Sequence, residues 1–426
     1  MAEIFRAYDI RGIFGKDLTQ EIMRKIGIGT GYFFSGPLIL GRDVRTSSPV
    51  LRDAFVDGYI ATGNDVIDLG VLPIGAGAWY AWKLGMPYAY ITASHLGPEW
   101  NGVKLFHPGG LGVEEDELKL IKKLSDRSPA KSAGRVSYRD IKDLYLQFLL
   151  EKFRPQTHLR IGIDCGNGAA SLLAPKLFEK AGFEVTSLNC QPDGRFPGRG
   201  PDPTKVELKE LKHFRLGIAY DGDGDRMVIY LNGRKLKPEE VAALLLEIIM
   251  KRKAGPVVAN LECGFLIEDL VEKYRQKLYR CRVGHTWMLR AVRKHKAVFG
   301  VEASGHYIVP EIFPFDDGIA ISYFLACYLP DLQPRGYPSE RIDFPCPDEE
   351  KFRVVERLKK KISGGKMIEE DGIRIEWEDA WILLRASNTS PLIRLTIEAR
   401  SEERLEELKK RFVPRVQEEI KMLRTK

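Results

Sequence analysis

The sequence predicts an α/β protein of several domains, on three observations. Strand-like apolar runs alternate with helix-like segments through about residue 338. That βαβ rhythm builds mixed, mostly parallel sheets covered by helices. The last stretch, 339–426, changes style to alternating segments closed by a long charged helix, as in a small α+β domain with an antiparallel sheet. The length, 426 residues, exceeds what one hydrophobic core serves, so three or four domains are expected.

Taken in order, residues 1–139 form the first unit. A loop opens at Tyr8-Asp9-Ile10-Arg11-Gly12, and a buried strand at 38–40 leads into Gly41-Arg42-Asp43-Val44-Arg45-Thr46-Ser47. A helix at 49–62, a strand at 66–69, a helix near 77–84 and an apolar strand at 86–91 follow. In open parallel sheets ligands gather at the carboxyl ends of the strands, where Arg11, Arg45 and Ser94 fall. Residues 140–235 repeat the rhythm, with a strand at 160–164, the turn Cys165-Gly166-Asn167-Gly168 and a helix expected over 169–181. A third unit, 236–338, opens with a helix at 238–253 and ends in a linker at 334–338. The three units share a βα style and read as related, without a close sequence repeat. The fourth, 339–426, has a helix near 348–362, strands at 372–377, 380–386 and 391–399, and a final helix at 402–424 laced by i,i+4 charge pairs.

Composition narrows the class. Hydrophobic residues at 44% and charged residues at 29% describe a globular chain. No apolar run reaches the length of a membrane span and the first residues lack the pattern of a signal peptide, so a cytoplasmic protein with no membrane partner is expected. The net charge, 66 − 59 = +7, lies in no basic block, and a small anionic substrate accounts for it without nucleic acid. Six cysteines without a Cys-x-x-Cys pair suit scattered core thiols, neither a zinc site nor a disulfide framework.

Four stretches carry chemistry. Thr92-Ala93-Ser94-His95-Leu96-Gly97-Pro98-Glu99-Trp100-Asn101-Gly102-Val103-Lys104 puts a serine hydroxyl at the mouth of a strand, with an imidazole beside it and an ammonium beyond the Asn-Gly turn. Such a set can move protons or hold anionic charge, although a polar loop capping a strand reads similarly. Asp221-Gly222-Asp223-Gly224-Asp225-Arg226 places three carboxylates at alternate positions on a tight turn. An EF-hand is excluded, since the sixth position is Arg226 and the twelfth Asn232. An acidic hairpin turn and a phosphatase loop with Asp221 as nucleophile remain. Three close carboxylates repel one another without a cation, which favours a metal site. Glu302-Ala303-Ser304-Gly305-His306 groups a carboxylate, a hydroxyl and an imidazole suited to sugar hydroxyls, or else is a plain glycine turn. Arg385-Ala386-Ser387-Asn388-Thr389-Ser390-Pro391, followed by Arg394, has the cations and donors that suit a phosphate dianion, or is a surface hairpin.

Together these stretches resemble the α-D-phosphohexomutases, and most closely the bifunctional phosphomannomutase/phosphoglucomutases. The serine loop is similar to the family's T-A-S-H-N-P-x-x-Y/F-N-G-x-K, with Leu96-Gly97 for Asn-Pro and Trp100 for Tyr or Phe. The acidic stretch matches D-G-D-G-D-R without departure, and the other two resemble the sugar loop G-E-x-S-G-H and the phosphate loop R-x-S-x-T-x-P-x-x-R. Phe315-Asp316-Asp317-Gly318 and His285 look like the bifunctional group.

The resemblance implies four domains around a central cleft and an enzyme that interconverts hexose 1-phosphate and hexose 6-phosphate. Ser94 would carry the phosphoryl group, and a hexose 1,6-bisphosphate would be the intermediate. It further implies Mg2+ held by Ser94, Asp221, Asp223 and Asp225, with His95, Lys104 and Arg226 at the chemistry. Glu302, Ser304, His306 and His285 are implied at the sugar, and Arg385, Ser387, Asn388, Thr389 and Arg394 at the phosphate. Tyr8 and Arg11 line the cleft in the same reading. Mannose or glucose phosphates are expected first, with phosphoglucosamine mutase or a non-catalytic sugar-phosphate-binding homologue as alternatives. Either a monomer or a homo-oligomer is compatible.

Overall fold

Short apolar runs become buried strands, and their order sets what gathers at each sheet edge. The computed structural model describes residues 4–5, 9–156, 158–362, 364–387 and 391–424. They form two compact units, Met1–Pro238 with Gly305–Asp331, and Glu239–Ser304 with Leu332–Lys426.

In the first unit, Leu38–Arg42 lies between Val66–Val71 and Tyr88–Ile91, parallel to both. Trp100–Phe106 returns antiparallel beside Tyr88–Ile91 and pairs in turn with Ile10–Ile13. Thr92 to Glu99 thus form the connection at the carboxyl end of a central strand, and Lys104 sits in the returning strand opposite Tyr90. The helices Gln20–Phe34 and Ser48–Ile60 cross so closely that only glycine fits between them. A Cβ on Gly58 would lie 1.9 Å from the Arg24 carbonyl oxygen, and one on Gly27 2.2 Å from that of Phe55.

A second sheet sets Arg160–Asp164 between Glu184–Leu188 and Leu216–Tyr220, all parallel. Met227–Leu231 then folds back antiparallel on Leu216–Tyr220, so the acidic stretch is a six-residue hairpin loop. The helix expected over 169–181 is two pieces, a 3-10 turn at Ala169–Leu172 and an α-helix at Ala174–Lys180. Pro175 has no N–H to continue one helix through this point, and it sits in the first turn of the second. Gly318–Cys327, apolar on all sides, is buried along its length and capped by Asp317, which accepts from Ile319 and Ala320 N–H.

In the second unit, Val257–Asn260 lies between Leu278–Cys281 and Phe299–Val301 in parallel. The C-terminal sheet is antiparallel throughout, in the order Ser339–Pro345, Leu392–Ala399, Ala380–Ala386, Ile373–Glu376, Lys366–Ile368. Residues of Asp348–Lys361 and Glu402–Arg424 cover one face of it with a shared apolar core. Mixed, mainly parallel sheets and a C-terminal antiparallel domain agree with the class expected. Among the described residues no helix is long and apolar enough to cross a membrane.

Candidate active site

The first unit brings the serine loop and the acidic hairpin together. Ser94 is 4% exposed and its backbone is left-handed, with φ 50°. That conformation is costly for a residue with a Cβ and persists where surroundings enforce it. They do so here. The Ser94 N–H donates to Thr92 Oγ1 at 2.8 Å, and Arg45 donates to the Ser94 and Leu96 carbonyls, both at 2.7 Å. Arg45 also reaches the Gly97 and Trp100 carbonyls. It is fully buried and paired with Asp43 at 2.9 Å.

Across the loop, Ser94 Oγ donates to Asp221 Oδ2 at 2.9 Å and accepts from Arg226 Nη2 at 3.2 Å. His95 Nδ1 lies 3.4 Å from the same oxygen. Burial, with the Arg226 charge next, lowers the imidazole to about 3, so it is neutral at neutral pH. Lys104 Nζ bridges Asp223 Oδ2 at 2.9 Å and Asp225 Oδ2 at 2.7 Å.

The hairpin shapes a cation site. Gly224, with φ 80°, turns the chain where a side chain is strained. Its N–H and that of Arg226 donate to Asp221 Oδ1 at 3.1 and 3.2 Å. Carboxylate oxygens of Asp221, Asp223 and Asp225 lie within 4.8 Å of one another. Burial, reinforced by Asp225 and Asp223, pushes Asp221 up to about 8, and burial likewise raises Asp223. Asp225 is held low against burial by Lys104. Asp223 Oδ1 and Asp225 Oδ1 are buried and accept no hydrogen bond among the described residues. Arg226 Nε lies 3.6 Å from Asp225 Oδ1, but buried anionic oxygens without hydrogen-bond donors stay costly unless a cation takes them, so the residues fit a hard divalent ion.

His306 also lies in the first unit. Its Nδ1 is 2.6 Å from Asp316 Oδ2, and Asp225, His306 and Asp316 have ligating atoms within 4.8 Å of one another. Arg11 pairs with Asp9 through Nε at 2.8 Å.

The second unit holds the other predicted residues. Glu302, 3% exposed, accepts from the Gly284 N–H at 2.7 Å, which places it beside the start of the helix His285–His295. Ser304 Oγ is 3.4 Å from Glu302 Oε2, and Ser304 is exposed. Arg385 and Arg394 face each other across adjacent strands. Arg385 is buried between Glu262 at 3.3 Å and Asp371 at 3.4 Å, and Arg394 forks onto Asp343 at 2.8 and 3.2 Å. Burial and the Arg394 charge lower Arg341, which completes a cluster of three guanidiniums. Ser387 donates its N–H to the Leu392 carbonyl at 2.9 Å. Tyr8, Asn388 and Thr389 lie outside the described residues.

Sequence reading missed the work of Arg45, Asp43 and Thr92, although it placed Arg45 at a strand end. It also missed Glu262, Asp371, Asp343 and Arg341. An arginine that donates to carbonyls some 50 residues away has no sequence signature.

Four family profiles match the chain in order: Phosphoglucomutase/phosphomannomutase alpha/beta/alpha domain I over 2–131, domain II over 141–233, domain III over 237–330, and the C-terminal domain over 342–415. A probable phosphoglucosamine mutase of Methanopyrus kandleri is 33% identical over 97% of each chain. A phosphomannomutase/phosphoglucomutase of Pseudomonas putida is 31% identical over 96% of this chain and 94% of its own. A crystal structure of a phosphoglucomutase/phosphomannomutase family protein from Burkholderia thailandensis superposes with a TM-score of 0.90 at 27% identity, over 98% of both chains. With its four domains matched in order over nearly its whole length, this chain belongs to the phosphoglucomutase/phosphomannomutase family of phosphohexomutases.

Proposed function

We propose that this enzyme interconverts hexose 1-phosphate and hexose 6-phosphate, with Ser94 as the phosphoryl carrier and a hexose 1,6-bisphosphate as intermediate. The observation that carries the reading is Ser94 Oγ, 2.9 Å from Asp221 and 3.2 Å from Arg226, at the rim of a carboxylate triad with donorless buried oxygens. Asp221, Asp223 and Asp225, together with an oxygen on Ser94, would hold Mg2+, which when bound supplies positive charge at the transferring phosphoryl group.

The chain's own groups do the rest. Arg226 offers a guanidinium at the serine oxygen, where charge accumulates as the phosphoryl group moves. Neutral His95 can accept a proton from an attacking sugar hydroxyl, and Lys104 can donate one to a leaving oxygen. Glu302 with Ser304, His285 and His306 is assigned to the sugar hydroxyls. Arg385, Ser387, Asn388, Thr389 and Arg394 are assigned to the phosphate that is not reacting, with Tyr8 and Arg11 lining the substrate path. Reading features shared by the two sugar orientations lets one clamp serve both half-reactions.

Glucose and mannose phosphates are the substrates we favour, on the Glu302–His306 stretch followed by Phe315-Asp316-Asp317-Gly318 and on the name borne by the Pseudomonas putida relative. Glucosamine phosphate is the second reading, on the name of the Methanopyrus kandleri relative.

Coupled assays on glucose, mannose and glucosamine 1-phosphate, with Mg2+ and a trace of bisphosphate, rank the two readings by kcat/KM. Intact mass tests the carrier: a species about 80 Da heavier should be present and vanish in Ser94→Ala. Absence of turnover on all three sugars, with no heavier species, would overturn the proposal.

A further inference from the structure

Cys165 and Cys190 are 25 positions apart, yet they meet. Cys165 follows the strand Arg160–Asp164, and Cys190 comes just after Glu184–Leu188. The two strands are parallel neighbours in register Asp164↔Leu188, so both chains leave the sheet at the same edge. The Cys165 N–H donates to the Leu188 carbonyl at 3.1 Å, which continues the ladder one step beyond the strands. As a result the two Sγ atoms lie 3.0 Å apart.

From this juxtaposition we infer that Cys165 and Cys190 form a redox-active dithiol that closes to an intramolecular disulfide. A bond of about 2.05 Å needs roughly 1 Å of sulfur travel from the observed separation. The surroundings already hold the two backbones together: the Asn167 N–H donates to the Asn189 carbonyl at 2.7 Å, and Asn189 Nδ2 to Asp164 Oδ2 at 2.9 Å.

The two thiols differ in the way stepwise exchange requires. Cys165 is fully buried, and Cys190 is partly exposed. The hydrogen bond shared with Cys165 holds Cys190 below its ordinary range, whereas burial pushes Cys165 well above. Cys190 is therefore the entry point. Its thiolate attacks one sulfur of a small-molecule disulfide such as oxidised glutathione and expels one glutathione thiolate, which leaves a mixed disulfide at Cys190. Cys165 then gives up its proton to the medium or to that thiolate, attacks Cys190 Sγ and expels the second glutathione. Two protein thiols and one external disulfide become one protein disulfide and two external thiols, with no other reagent.

The other four cysteines, 263, 281, 327 and 346, are buried and serve as internal controls. The bond would also sit close behind the acidic hairpin, because the Ala169 N–H, at the end of the Cys165–Gly168 turn, donates to the Gly222 carbonyl at 3.0 Å.

The test treats the full-length protein with excess oxidised glutathione, blocks remaining thiols by alkylation under denaturing conditions, and reads intact and tryptic masses. The expected product is about 2 Da lighter before alkylation, has two fewer alkylated thiols, and contains the Cys165 and Cys190 peptides joined until reduced. Cys165→Ser should stop at a mixed disulfide on Cys190, about 305 Da heavier, and Cys190→Ser should leave Cys165 unmodified in the folded protein. A wild-type protein that remains fully reduced, or that stops at the mixed disulfide as Cys165→Ser does, overturns the inference.

Discussion

At the residue scale, Arg45 positions what the motif residues cannot position for themselves. Its guanidinium donates to the carbonyls of Ser94, Leu96, Gly97 and Trp100 while paired to buried Asp43. The serine loop lacks the family's usual Asn-Pro, and this clamp explains how the left-handed Ser94 is still held. Arg45→Ala leaves Asp43 buried without its partner, so it should destabilise the protein by about 3–5 kcal/mol and depress turnover in the surviving folded fraction. Denaturant unfolding alongside steady-state kinetics checks both; wild-type stability would show the clamp to be ornamental. Asp223, with one donorless buried oxygen, bears on the cation. Asp223→Asn should cut turnover by at least about a hundredfold with the fold retained, and chelator should silence the wild type until Mg2+ is returned. Full activity in chelator would refute the metal assignment.

At the element scale, the loop Thr92–Glu99 and the cap of Gly318–Cys327 make separate predictions. The Gly97 N–H makes no hydrogen bond among the described residues, and a Cβ there would meet first the end of the exposed Glu99 side chain. Leu96→Asn with Gly97→Pro should therefore leave turnover on glucose 1-phosphate within about tenfold, a barrier change of roughly 1.4 kcal/mol. A larger loss would mean that the loop depends on glycine's freedom after all.

Asp317 caps its helix while buried, and burial raises it to about 6. In the unfolded chain an aspartate titrates near about 3.9. The folded protein thus binds the proton more tightly, and this contribution to stability is complete below about pH 4 and lost as pH rises through about 6. The thermal midpoint of wild type relative to Asp317→Asn should accordingly be more favourable near pH 4.5 than near pH 7. A pH-independent difference would contradict the burial account.

At the scale of the whole molecule, the two units divide the predicted residues between them. Ser94 and the acidic hairpin belong to one, and Glu302, Arg385 and Arg394 to the other. Substitutions in the two units should then fail differently. Ser94→Ala should abolish the phosphoenzyme and turnover. Arg385→Ala should keep the phosphoserine and weaken substrate binding about ten- to a hundredfold, the cost of one charged bidentate contact. KM measured beside intact mass separates the cases, and an unchanged KM in Arg385→Ala would make that side chain structural, a counter-ion to Glu262 and Asp371.

The sequence alone determined what depends on local order. Strand-helix alternation, the antiparallel C-terminal domain and the four motifs were legible because periodicity and turn chemistry act over a few residues. Asp221, Asp223 and Asp225 were readable as a convergent carboxylate cluster because their alternate spacing on one turn already forces them together. Tertiary structure decided what depends on distance along the chain. Parallel strands bring Cys165 against Cys190, although spacing had suggested scattered thiols. Arg45 reaches carbonyls 49 to 55 positions away, and Asp343 takes the fork of Arg394. Pro175 split a helix whose apolar pattern ran on unbroken. In each of these cases the deciding term is a contact between elements, and its partner is set by sheet order and burial, which no short window of sequence encodes.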